Sequence, residues 1–384
     1  MTRSSVALAE SRSADFHVAH LSGLSLAGSG KARPIRVAPE HRAPGFEAAY
    51  DRETLWYDAV RIGGRLHLVC PRLYTLRPLI DRVRLDGARL GPARLSASRR
   101  HEIATLASSH GDTLSLQIGD WQAQSPISED GAAHFAGLNV ALFISRDNRL
   151  DWFADWARFH VEEHGLQALL VIDNGSESYP PEAILEALSA TGLARAVVLV
   201  APQPYGPTRG KSGRGGAKFL QPAMLNLARL RYLRRARAVL NADLDELVWS
   251  HAGSVFDAAV ASPLGLVSFA GQWRQPPPRQ EPPFIHAQHV HSRLGHWPCP
   301  TKYCICPDGP LRWAGWDVHR PDTLLPVGLR PRRDMGYWHC RGITTDWKGY
   351  GRLKQGDVGP RDASTAAVLE RALGTCALAG TGPA

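Results

Sequence analysis

The chain has 384 residues, 21% charged and 44% apolar, so it is long enough to bury a large core and falls in the ordinary globular range. Its formal net charge is +9, and only six of its 45 basic residues are lysine. An arginine excess suits an anionic substrate or surface, but scattered as it is, without a basic stripe interleaved with aromatics, it argues against a nucleic-acid partner.

No run of 18 or more apolar residues occurs, so no spanning helix is predicted. The stretch Met1–Glu10 has too short an apolar run for a signal peptide. These features predict a cytoplasmic chain, with peripheral contact at the inner face of a membrane left open. The six cysteines (Cys70, Cys299, Cys304, Cys306, Cys340, Cys376) match no zinc spacing and read as reduced thiols.

Residues 1–49 are rich in Ala, Ser, Gly, Pro and Arg with little periodicity, which predicts a flexible lead-in. Residues 50–135 carry short alternating stretches such as Leu66–Cys70, Val83–Gly87 and Thr113–Ile118 between turn residues, the pattern of a small β-rich accessory domain. Apolar strands then alternate with amphipathic helices: strand Asn139–Ser145, helix Arg149–His164 ended by Gly165, strand Ala168–Asp173, helix Pro181–Leu188, strand Ala196–Val200. A βαβαβ series of this kind predicts an α/β fold with a mostly parallel sheet flanked by helices.

Residues 201–217 form a Pro/Gly/basic loop that nearly spells a phosphate-binding P-loop, but Tyr205 stands where that pattern needs its first glycine. A helix is predicted over Lys218–Arg237, interrupted early by Pro222. Residues 136–356 form the predicted main domain, and 357–384 a helical or disordered tail.

The stretch Val239–Val248 reads Val-Leu-Asn-Ala-Asp-Leu-Asp-Glu-Leu-Val, with three carboxylates in four positions behind an apolar strand. Open α/β sheets bind ligands beyond the carboxyl ends of their strands. In extended chain Asp243 and Asp245 point the same way, so their oxygens converge on a hard cation while Glu246 points away. Further on, Trp313-Ala-Gly-Trp316-Asp317-Val-His319-Arg320 and Tyr337-Trp338-His339 concentrate indole, imidazole and charge, as a cleft that packs a sugar ring on indole does.

Four short motifs in order resemble the family 2-like and family 92-like glycosyltransferases: Ser145-Arg-Asp-Asn148; a helix with Asp155-Trp156 and His160; Ile172-Asp173-Asn174-Gly-Ser176; and Asp243-Leu-Asp245-Glu246-Leu. His339-Cys340 and Lys348 resemble that family's His-Tyr step and following lysine, and the likeness covers residues 139–350. Arg149, Leu247 and Cys340 depart from the family pattern.

The resemblance implies a GT-A fold that binds a nucleotide-sugar, UDP-linked, with Mn2+ or Mg2+, and transfers the sugar with inversion to a glycan or lipid-linked acceptor. It implies a donor pocket at Asn148, Asp173, Asn174 and Asp243, with Lys218 and Arg214 assisting from the basic loop. It also implies metal ligands among Asp243, Asp245, His339 and His319. Inversion needs a general base, for which Asp317, Asp346 and Asp334 are candidates, and Trp313, Trp316 and Trp338 are candidate acceptor platforms. Two other readings stay open: a metal-dependent nucleotidyltransferase, and a non-enzymatic basic module that binds anionic polymer.

Overall fold

The structure is a computed structural model that describes residues 15–374 except 109, 209–216, 296, 298, 323–329, 350 and 354–355. It is mixed α/β, with one large sheet and a set of smaller ones. The large sheet has strands β1 (Phe16–His20), β2 (Asn139–Ser145), β3 (Ala168–Asp173), β4 (Arg195–Val200), β5 (Ala238–Asn241), β6 (Glu246–Ser250), β7 (Leu266–Gln275), β8 (His291–Arg293), β9 (Lys302–Ile305), β10 (Arg332–Cys340) and β11 (Val358–Arg361). Their order is β1-β4-β3-β2-β5-β9-β7-β8-β11, with β10 joining β7 to β6.

The first half is parallel throughout, from β1 across to β5. Its apolar strands read as continuous runs because both faces are covered. Ala141 and Phe143 of β2 pack into one core, and Val140, Leu142 and Ile144 into the other. Burying each of the larger side chains is worth roughly 1.5–3 kcal/mol, so strand register is strongly set. In that register Ser145, Asp173 and Val200 lie side by side, and Leu142 pairs with Asn241. The loops after these strands therefore share one edge.

The second half is antiparallel from β5 through β9, β7 and β8 to β11, whereas β7 and β10 run parallel. A mostly parallel sheet was expected; the sheet is mixed because β6 leaves the parallel series after β5 and pairs antiparallel with β10.

Helices α1 (Leu150–His164), α2 (Pro181–Leu188), α3 (Leu220–Ala228), α4 (Val255–Ala261) and α5 (Ala363–Leu373) cover the sheet. The helix expected over Lys218–Arg237 is α3 followed by a π turn at Arg229–Leu233. Pro222 is the third residue of α3, where a missing N–H leaves no intrahelical bond unmade. Among the described residues no helix is long and apolar enough to cross a membrane.

One departure concerns the amino-terminal region. Phe16–His20, expected within a flexible lead-in, is instead the parallel edge strand β1, in register from Phe16 opposite Ala196 to His20 opposite Val200. An edge strand needs few buried positions, and only Ala19 of this one is buried, so it left little apolar pattern to read. The β-rich stretch forms two four-stranded antiparallel sheets. One contains Asp58–Ile62, Arg65–Pro71, His101–Ala107 and Arg94–Ala97; the other contains Trp121–Pro126, Thr113–Ile118, Arg84–Leu85 and Ala88–Arg89. It has its own core, which includes Trp56, Leu68 and Leu106.

Candidate metal centre and its flanking clefts

Asp243 follows β5 directly, and the chain turns there rather than running straight. The Glu246 N–H donates to the Asp243 carbonyl at 2.9 Å, and the Asp243 N–H to Glu246 Oε2 at 2.8 Å. The turn brings Glu246 back toward the aspartates, which overturns the extended-chain expectation that it points away.

Every carbonyl of this turn is held by another element. Trp156 Nε1 on α1 donates to the carbonyls of Asp243 (3.1 Å) and Glu246 (2.8 Å). His286 Nε2 lies 2.9 Å from the Leu244 carbonyl, and the Cys340 N–H donates to that of Asp245 at 2.8 Å. One helical turn beyond Trp156, the buried His160 accepts from the Val248 N–H through Nε2, so its Nδ1–H donates to the Trp156 carbonyl at 2.8 Å. Another turn on, His164 Nε2 donates to the Val248 carbonyl at 2.8 Å while its Nδ1 accepts from the Val255 N–H. One face of α1 thus clamps the acid turn and the strand after it. Burial holds His160 and His164 below the usual histidine range, His164 at about 4, so both are neutral.

The opposite charges come from the antiparallel half. Lys302, the fully buried first residue of β9, places Nζ 2.8 Å from Asp243 Oδ2 and 3.0 Å from Glu246 Oε2. His339 Nε2 is 2.9 Å from Asp245 Oδ2, and one Arg352 nitrogen lies 3.1 Å from each of these atoms. Trp273 stacks on His339, centroids 4.0 Å apart and planes at 12°, which fixes the imidazole plane.

Burial opposes ionisation of both aspartates, but the nearby basic groups outweigh it. Lys302 and Lys348 hold Asp243 far below the usual carboxylate range, and His339 and Arg352 hold Asp245 at about 2. At Glu246 burial dominates and raises the pKa despite Lys302. Between its two carboxylates Lys302 is itself held above its usual range, against the effect of burial.

Asp245, Glu246 and His339 form a buried cluster whose ligand atoms all lie within 4.8 Å of one another, and it could hold a metal ion. Asp243 Oδ1 is a buried oxygen with no hydrogen-bond partner, an acceptor left over beside that cluster. Two carboxylates, an imidazole and a spare carboxylate oxygen fit a divalent cation.

The other expected site residues fall into three groups. Asn148, Asp173 and Asn174 reach the carboxyl edge of the sheet, but each is bonded within the protein. Asn148 Nδ2 donates to Ser145 Oγ, and its Oδ1 accepts from the Thr345 N–H. Asp173 accepts from the Ser176 hydroxyl at 2.5 Å, and Asn174 donates to the carbonyls of Ala201 and Gln203. These three shape the floor of the edge.

Four expected site residues lack geometric support for their roles. Asp334 pairs with exposed Arg332 five residues before His339 on β10, so the strand carries it away from the acid turn. Trp316 (1% exposed) and Trp338 (5%) are core residues, Trp316 tied by its N–H to Asn226 and Trp338 packed on Phe159. Asp317 has its carboxylate against Arg100 at 2.5 Å and Arg99 at 3.7 Å.

Of the remainder, Trp313 is exposed (61%), and Arg214 lies outside the described residues. Asp346 accepts from the Gly351 N–H at 2.9 Å and shapes the loop that carries Lys348 and Arg352. Lys218 and His319 line a cleft described below, and His319 is pushed down to about 4 by burial and then by Lys302.

Sequence reasoning missed Lys302, Trp273 and Arg352. Lys302 had a signal: a lysine opening the apolar strand Lys-Tyr-Cys-Ile, where an ammonium must find acids. Trp273 and Arg352 lay outside every motif.

Two clefts are each lined by a residue that acts electrostatically on Asp243, Lys348 in one and His319 in the other. One, of about 490 Å3, lies at the carboxyl edge of the parallel strands and is lined by Arg146, Asn174, Tyr205, Trp347 and Lys348 among others. The other, of about 790 Å3, lies where the β-rich unit meets the main sheet. They share Tyr205, Thr208 and Gly349. No known family matches the chain, and no curated protein matches it in sequence.

Proposed function

We propose that the chain is a metal-dependent glycosyltransferase of GT-A-like architecture, moving a sugar from a nucleotide-sugar donor, UDP-linked, to a glycan or lipid-linked hydroxyl acceptor with inversion. The observation that carries this reading is the acid turn itself. It is locked at every carbonyl, sits at the carboxyl edge of a parallel sheet, and has Asp245, Glu246 and His339 converging behind Asp243. Open parallel sheets bind nucleotides at that edge, and the smaller cleft there suits the donor.

The cation would be held by Asp245, Glu246 and His339, with Asp243 Oδ1 beside it, and the imidazole favours Mn2+ over Mg2+. When bound, such an ion neutralises charge that builds on a leaving diphosphate. The protein's own groups do the rest. Arg352 and Lys348 aim cations at the same place, fixed before the reaction begins. Trp156, His286 and Cys340 keep the carboxylates from turning away as charge moves. Of the three expected bases, Asp346 stays a candidate because its loop also bears Lys348 and Arg352.

The test is Asp245→Ala. It removes turnover of UDP-sugars, by about 100-fold or more if the turn acts electrostatically, while the chain still melts cooperatively. Full turnover in that variant would sink the reading. Lys302 favours one variation, because its ammonium already bridges Asp243 and Glu246. In this form the buried lysine replaces the ion, and turnover that survives excess EDTA but not Lys302→Met would select it.

A further inference from the structure

The larger cleft is built from both units. Arg36, Tyr74, Arg99 and Arg100 come from the amino-terminal side, and Lys218 and His319 from the main domain. No carboxylate lines it among the described residues. Asp317 is drawn against Arg99 and Arg100. Arg36 has no acidic partner among the described residues; its guanidinium instead lies over the Tyr74 ring, 4.4 Å from the centroid. Arg72 lies 5.6 Å from the same ring.

Tyr74 itself has a φ of +50°, a left-handed conformation that is costly for an aromatic residue. Such strain is kept where the surroundings over-determine it, often at ligand clamps. A second tyrosine, Tyr205, has Lys218 at 5.4 Å and Lys348 at 5.5 Å from its ring. Guanidinium and ammonium groups stacked over aromatic rings are held in place to meet an anionic ligand. The planar guanidinium pairs with carboxylate, sulfate or phosphate.

One wall of the cleft, at Val318 and His319, is tied to the strands that carry the acid turn and Lys302. Residues 317–319 bridge the two: Asn241 Nδ2 donates to the Val318 carbonyl at 3.1 Å, and Tyr303 OH to that of Asp317 at 2.9 Å. Thr301, the neighbour of Lys302, donates its hydroxyl to the His319 carbonyl at 2.9 Å. A ligand in the cleft thus has one end among the arginines and the other beside His319, whose ring feels the charges of Lys302 and Asp243.

We propose that this cleft, shared by the β-rich unit and the main domain, is the acceptor site, and that it selects a negatively charged saccharide. The proposal rests on the transferase reading for the word acceptor, and on the cleft alone for the ligand class. Its volume of about 790 Å3 accommodates a short saccharide rather than a nucleic-acid duplex.

The test uses the full chain in isothermal titration with an oligogalacturonate, a sulfated oligosaccharide, neutral maltohexaose, inorganic phosphate and a single-stranded oligodeoxynucleotide. At least one anionic saccharide should bind at least tenfold more tightly than maltohexaose or phosphate, as charge-assisted hydrogen bonds require. Arg36→Gln and, separately, the exposed Arg99→Gln should each weaken that binding several-fold. Neither should change the melting temperature shift caused by UDP with Mn2+.

Equal binding of the neutral sugar or of phosphate, tighter binding of the oligonucleotide, or unchanged affinity in both variants overturns the proposal. Arg99 is 69% exposed, so its variant stays informative if Arg36→Gln fails to fold. Saccharide binding without any UDP response in the native chain would sink the transferase reading and leave the saccharide site standing.

Discussion

The two halves of the large sheet contribute opposite things to one centre. The parallel half ends in the acids: Asp243, Asp245 and Glu246 lie within one turn after β5. The antiparallel half and the loop after β10 supply the bases: Lys302 from β9, His339 from β10, and Arg352. Neither half is stable alone at this place, because three carboxylates so close together repel and a buried ammonium needs partners. The centre therefore also reports whether the two halves have joined correctly.

The strongest way to break this pairing is Lys302→Met. It leaves Asp243 and Glu246 buried without their cation and should cost about 3–5 kcal/mol of stability, read by urea denaturation. A loss below about 1 kcal/mol would mean that water or an ion already balances the acids.

Acid should act next. His164 and His286 are neutral in the folded state, both pushed down to about 4, first by burial. The unfolded chain binds those protons near its ordinary pKa of about 6.5, so between roughly pH 6.5 and 4 it holds more protons than the folded one. Stability should therefore fall with pH across that window, by about 1.4 kcal/mol per unit for each histidine at most, and denaturation curves at several pH values would show it. Asp245, depressed to about 2, has the usual carboxylate sign: its stabilisation is present above about pH 4 and lost as pH falls toward 2. A flat profile down to pH 5 would remove the histidine clamp from the account.

Trp156→Phe is a gentler change. It keeps most of the ring but removes the N–H shared by two turn carbonyls. A loss of about 1–3 kcal/mol is expected, with weaker Mn2+ binding by calorimetry, because the turn is no longer held. The smallest effect belongs to Asp334→Asn at the exposed Arg332 pair: under about 1 kcal/mol, and turnover within about twofold of the native chain.

Legibility in the sequence followed the range of each interaction. Strands Asn139–Ser145 and Ala168–Asp173, and helix Pro181–Leu188, were read at the bounds they have, because a buried parallel strand or amphipathic helix writes its own pattern. The position of the acid cluster was legible for the same reason. Its shape was not: Glu246 turns inward through a bond to Asp243, and three carboxylates in a row do not say whether the chain turns or runs straight.

The tryptophans show the limit most directly. Trp316 and Trp338 looked like ring platforms but are core, while Trp273, which drew no notice, stacks on His339. Composition near an indole does not reveal which face is covered. Lys302 acts 59 residues after Asp243, a partnership that only the β5–β9 pairing creates.

One arginine bears on how the molecule is put together. Arg231, just after α3, donates to the carbonyls of His20 and Glu129 and to Asp58. His20 closes β1, and Glu129 lies shortly before β2, so a single side chain grips the chain where the β-rich unit departs from the main sheet and where it returns. That unit is thus an insertion between two strands of one sheet, not a bead threaded ahead of it. Its two ends stand within a guanidinium's reach of each other. A short peptide could join them, yet the two parts are not merely tethered: Tyr57 and Val69 of the inserted unit pack in the main-sheet core, and the buried Asp58–Arg231 pair crosses between them.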